Sequence, residues 1–89
     1  MKKLDRRFEK AFEIANAITQ KLAPDVMLEF YAYYKQATEG AEYTTPSGES
    51  DLRNAFKLNA WFQINDLNAD EAKKKYIELV EKITQQKIP

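Results

Sequence analysis

Two short stretches of this 89-residue chain set cations beside aromatic rings at helical spacing. One ends in Tyr31-Ala32-Tyr33-Tyr34-Lys35, and the other runs from Arg53 to Trp61. At about 3.6 residues per turn, Leu28, Tyr31 and Lys35 fall on one stripe, and Arg53, Lys57 and Trp61 follow one another at steps of four on another. A stripe that passes from apolar Leu28 through amphipathic Tyr31 to cationic Lys35 suits a ligand with an oily tail and an anionic head. Ammonium groups would supply charge-assisted bonds to such an anionic head, and tyrosine hydroxyls neutral ones. The plain alternative is a solvated helix face whose long side chains lie along the surface with their polar ends in water.

Four helices must position these residues. From Leu4 the apolar positions Leu4, Phe8, Ala11, Ala15 and Ile18 recur at steps of three and four, widened by Phe12 and Ile14, which predicts a first helix fading through Lys21-Leu22-Ala23. Asp5, Glu9 and Glu13 supply its wet side with Lys2, Arg6 and Lys10. Pro24 and Asp25 read as the start of a second helix, since proline lacks an N–H that the first turn does not need and the carboxylate suits that turn's exposed amides. This helix runs to about Glu39 before Gly40, with Met27, Phe30, Tyr34 and Ala37 as its core-facing stripe. A turn-rich segment over 41–50 predicts a long loop between helices two and three. Ser50 or Asp51 caps a third helix from about Leu52 to Ile64, on which Leu52, Ala55, Phe56 and Phe62 share the apolar face and Trp61 reads mainly as core. Asn68 with Glu71 has the spacing of a capping box and opens a fourth helix ending near Gln85. Ala72, Tyr76, Leu79, Val80 and Ile83 form its buried stripe, and Lys73 to Lys75 face water. Without any strand signal, the expectation is an all-α four-helix bundle in one domain spanning 1–89.

Composition removes several function classes. The chain has no Cys and no His, so thiolate zinc sites and His-based catalysis are unavailable, and no metal site is expected. Fourteen basic residues balance fourteen acidic ones, which is not the basic excess of a nucleic-acid binder. No apolar run approaches the roughly 20 residues of a membrane span, and no leader-like segment follows Met1. A cytoplasmic monomer without stable membrane insertion is the expectation.

The chain resembles the acyl-CoA-binding protein family over nearly its whole length. The likeness is carried by Phe8-Glu9-Lys10-Ala11, by Tyr34-Lys35-Gln36-Ala37-Thr38-Glu39-Gly40, by Lys57 with Ala60-Trp61, and by Ala72 with Lys75-Tyr76-Ile77. The resemblance implies an up-down-down-up bundle that carries long-chain fatty acyl-CoA without chemical change and needs no cofactor. Lys35 and Lys57 would hold the 3′-phosphate, and Tyr31 and Tyr76 would contact the nucleotide and its phosphates. Arg53 stands where the family often has lysine. Met27 and Leu28 match positions lining the acyl groove, and Tyr34, which opens the central motif, completes the ligand-binding set. Three departures stand out: Asn16 replaces a frequently basic residue, Leu58 the first of a common pair of tryptophans, and Phe12 a usually small side chain.

Two rival classes remain. A thioesterase would need an activated nucleophile beside a base, and the Ser and Thr residues concentrate in the loop with no His to partner them. A small helical protein-interaction module without ligand is the stronger alternative, and it would show an apolar groove without convergent cations.

Overall fold

The computed structural model describes residues 3–40 and 50–89, which form four helices: α1 (Lys3–Asn16), α2 (Pro24–Glu39), α3 (Asp51–Gln63) and α4 (Ala69–Thr84). The long loop expected between α2 and α3 lies outside the described residues, apart from Ser50. No helix among the described residues is long and apolar enough to cross a membrane.

Three helix starts follow local chemistry. Pro24 opens α2 behind an extended Ala23, with Asp25 in the first turn. The Ser50 hydroxyl accepts the Arg53 N–H at 3.2 Å ahead of α3. Asn68 and Glu71 close a reciprocal pair at 2.8 and 3.0 Å before α4, satisfying two amides that the first turn leaves without helical partners. Gly40 follows α2 at φ +62°; a Cβ there would meet nothing within 4 Å, so the demand for glycine comes from the backbone angle. α4 ends on Gln85 in the left-handed region.

The first helix is shorter than its periodicity predicts. It stops at Asn16, where the Ala17 and Ile18 amides close tighter turns onto Ile14 and Ala15, and the chain reaches Pro24 without regular structure. Apolar spacing continues past the last residue that packs as a helix, so periodicity alone runs the element too far.

The core joins α1, α2 and α4. Phe8, Ala11, Ala37, Ala72, Tyr76, Ile77 and Val80 are buried together, with Phe30, Tyr33 and Tyr34 packed against them. Alanines at 11, 37 and 72 let the backbones come close, and aromatic rings fill the remaining volume: Phe8 meets Tyr76 edge-on at 5.2 Å, and Phe30 does so at 5.4 Å. Ile88, beyond α4, is buried in the same cluster. Its N–H donates to Glu81 at 2.8 Å and its carbonyl accepts from Arg7 at 3.1 Å, which clips the segment after α4 onto α1. Of the lysines expected to face water, Lys73 instead binds Asp5 at 2.7 Å across the α1–α4 seam.

Contacts give the helix directions pair by pair. Asp5 meets Lys73 and Phe8 meets Tyr76, so α1 and α4 run in the same sense. Phe30 meets Tyr76 while Gln36 reaches Leu67 ahead of α4, so α2 runs against α4. Tyr31 lies against Lys57 while Gly40 accepts from Trp61, so α2 and α3 run together.

Among the described residues α3 packs on α2 alone. Much of the apolar face of α3 is left uncovered. Leu52, Phe56 and Phe62 are 65%, 51% and 57% exposed, and the helix is anchored through Trp61, which is 0% exposed. Met27 likewise leaves the core-facing stripe of α2, at 58% exposure. α2 also buries Ala32 and Gln36, and Gln36 reaches Trp61 of α3.

Candidate functional site

Gln36 fixes the floor of the site. Its side-chain N–H donates to the Leu67 carbonyl at 2.6 Å, and its oxygen accepts the Trp61 indole N–H at 3.1 Å. The same indole N–H also reaches the Gly40 carbonyl at 3.2 Å. One buried amide thus ties α2 to α3 and to the turn before α4, and it orients Trp61 against the cationic stripe of α2. The sequence reading assigns Gln36 no role beyond membership of the motif; its burial and its bonds to Trp61 and Leu67 are what reveal one.

Beside Trp61, Lys35 of α2 and Lys57 of α3 both approach the Tyr31 ring. The Lys35 ammonium lies 5.9 Å from the Tyr31 ring centre and 5.7 Å from that of Trp61. The Lys57 ammonium lies 5.4 Å from the same Tyr31 ring. Lysines from separate helices therefore both approach one aromatic ring, attracted by its negative quadrupole. Tyr31 meets Trp61 edge-on at 6.5 Å. Burial raises the Tyr31 pKa above its usual range, partly countered by Lys35 and Lys57, so its hydroxyl is a neutral donor at physiological pH. Lys35 is paired with Glu39 at 2.7 Å; that hydrogen bond is the main reason its pKa is raised, which keeps the ammonium charged.

A groove opens beside this cluster, in the gap between α1 and α3. Its volume is about 690 Å³. Met27 and Leu28 form its α2 side, Arg53, Phe56 and Lys57 its α3 side, and Ala15, Ile18 and Leu22 the opposite wall, with Lys21 also on the lining. The wall from Ile18 to Leu22 is the segment that the sequence reading folds into helix one. Released from the helix, it turns apolar side chains toward the gap. Lys57 belongs to both places, lining the groove and flanking Tyr31.

Tyr34 and Tyr76 sit apart from that groove in the aromatic cluster of α1, α2 and α4. Tyr34 stacks on Phe12 at 4.9 Å and on Phe8 at 6.0 Å, and it lies 6.2 Å from Tyr76. Burial, with a smaller effect of Tyr34, pushes the Tyr76 pKa up to about 12. Phe12, bulkier than the residue usual in the resembled family, thus has a packing partner. Arg53 is exposed on the groove and close to the start of α3.

Comparison with known proteins agrees with this architecture. The family model described as Acyl CoA binding protein matches residues 5–80. Acyl-CoA-binding protein of Saccharomyces cerevisiae is 33% identical over 76 residues, covering 85% of this chain and 87% of the yeast protein. Acyl-CoA-binding domain-containing protein 5 of Bos taurus is 32% identical over 83 residues, covering 89% of this chain but 16% of that much longer protein. The crystal structure of Oryza sativa Acyl-CoA-Binding Protein 2 superposes with a TM-score of 0.80 at 28% identity, covering 92% of this chain and 91% of the rice chain. With the family pattern matched from α1 into α4 and the helices superposing on a solved relative, this chain belongs to the acyl-CoA-binding protein family.

Proposed function

We propose that the chain binds long-chain acyl-CoA esters non-covalently and serves as a cytoplasmic, monomeric carrier or pool former that leaves them chemically unchanged. The observation that supports this most is the position of Lys57, at once on the apolar groove and beside the ring that Lys35 also flanks. Lys35 and Lys57 hold the 3′-phosphate, Tyr31 and Tyr76 serve the nucleotide and its phosphates, and Arg53 adds charge beside the groove. Tyr34 supports Tyr76 from within the aromatic cluster, and Met27 and Leu28 receive the acyl chain. The helix directions found pair by pair are consistent with the up-down-down-up order that belongs to this reading. The groove's size lies within the roughly 300–1,000 Å³ of ordinary ligand sites.

The energetics require both ends of the ligand. Each ammonium–phosphate bond is worth roughly 1.5 to 3 kcal/mol. Burying about ten methylenes at roughly 0.8 kcal/mol each contributes about 8 kcal/mol, from which association and ordering subtract several kcal/mol. Neither end suffices alone.

Calorimetric titration with palmitoyl-CoA, CoA and palmitate tests the proposal, with fluorescence of Trp61 as a second signal. Saturable binding of the ester is expected, with each half binding far more weakly and no thiol released on incubation. Palmitate binding as tightly as its CoA ester would refute the two-ended mechanism. No saturable response to the ester would turn the reading toward a helix-binding interaction module.

A further inference from the structure

Glu39 stands outside the expected ligand set, yet its Oε2 lies 2.7 Å from the Lys35 ammonium. That oxygen is itself shut off from solvent. The ammonium it holds also lies against the faces of Tyr31 and Trp61, so the cation arrives at the site already accompanied by an anion. An ammonium has three N–H donors and can face a carboxylate and a phosphate together, but the phosphate then sits close to a second negative charge. Should the phosphate draw the ammonium away instead, the shielded carboxylate oxygen gives up its ion pair, a cost limited by the 37% exposure of the Glu39 side chain. Both courses oppose the ligand.

We infer that Glu39 is a resident anion that competes with the ligand's phosphate for Lys35, setting both the affinity and the share of it contributed by the 3′-phosphate. This rests on the acyl-CoA reading of the site. Repulsion scales with the charge brought to the ammonium, so it bears most on a phosphomonoester dianion and least on a ligand lacking that group. Glu39 thereby lowers the discrimination that Lys35 would otherwise give, and it speeds release of a cargo that a carrier must give up.

The test titrates palmitoyl-CoA and its 3′-dephospho analogue into the wild type, Glu39→Gln, and the Lys35→Ala/Glu39→Gln double variant. At low salt Glu39→Gln should tighten palmitoyl-CoA binding roughly twofold to fivefold. The dephospho ester should gain less than about twofold, and the gain should vanish in the Lys35→Ala background and at about 1 M salt. Equal gains for both esters, no gain, or weaker binding overturn the inference while leaving the carrier reading in place. A wild type that does not bind palmitoyl-CoA overturns both. Glu39→Ala, at the end of its helix, is judged by the same criteria should the glutamine variant fail to fold.

Discussion

Replacing Gln36 with methionine isolates the bond that organises the site. Methionine has nearly the same length and helix propensity as glutamine, so the change removes polar partners while nearly keeping shape and local preference. In Gln36→Met the Leu67 carbonyl loses its 2.6 Å donor, and the Trp61 N–H loses its 3.1 Å acceptor but keeps Gly40 at 3.2 Å. A part-buried carbonyl left without its donor costs roughly 1 kcal/mol or more and a weakened bond roughly 0.5–1.5 kcal/mol, so the loss should be about 2 kcal/mol or more. A chain of this length is stable by roughly 5–13 kcal/mol in all, so the variant should still fold. Urea denaturation followed by far-ultraviolet circular dichroism reads the change: with a slope of about 1 kcal/mol/M, the midpoint should fall by about 2 M or more. A midpoint that moves by less than about 0.3 M at unchanged slope refutes the claim that this amide fastens α3 to α2.

Lys57→Ala should weaken palmitoyl-CoA binding about tenfold or more, as loss of one charge-assisted bond requires, while helix content stays unchanged; a variant with wild-type affinity would remove Lys57 from the site. High pH should destabilise the fold through Tyr76, whose pKa is pushed up to about 12 by burial. The unfolded chain loses that proton near pH 10, so the contribution is complete below pH 10 and is lost as pH rises from about 10 to 12. Tyr76→Phe should show a shallower loss over that window in urea titrations, and identical profiles for the two proteins would contradict the burial argument.

What was legible in the sequence lies where local chemistry decides. Pro24 with Asp25, Ser50, and the Asn68–Glu71 pair mark helix starts because each satisfies or avoids a backbone amide within a few residues of itself. The pairing of cation and tyrosine at 31 and 35 is equally local, since a helix sets side chains four apart on one side. The resemblance carried by the run from Tyr34 to Gly40 pointed further, to a family and its ligand.

Sequence alone determined the four helices, their apolar stripes and the two cationic strips, because these depend on neighbours within a turn or two. Which stripe becomes core was decided by the tertiary structure: among the described residues α3 packs on a single helix, with Trp61 buried while Leu52, Phe56 and Phe62 stay exposed. Burial of Ile88 and the approach of Lys57 to the Tyr31 ring depend likewise on partners distant in the chain. Periodicity states that a helix has an apolar side, but the free energy of burying it is realised only where another element arrives to cover it.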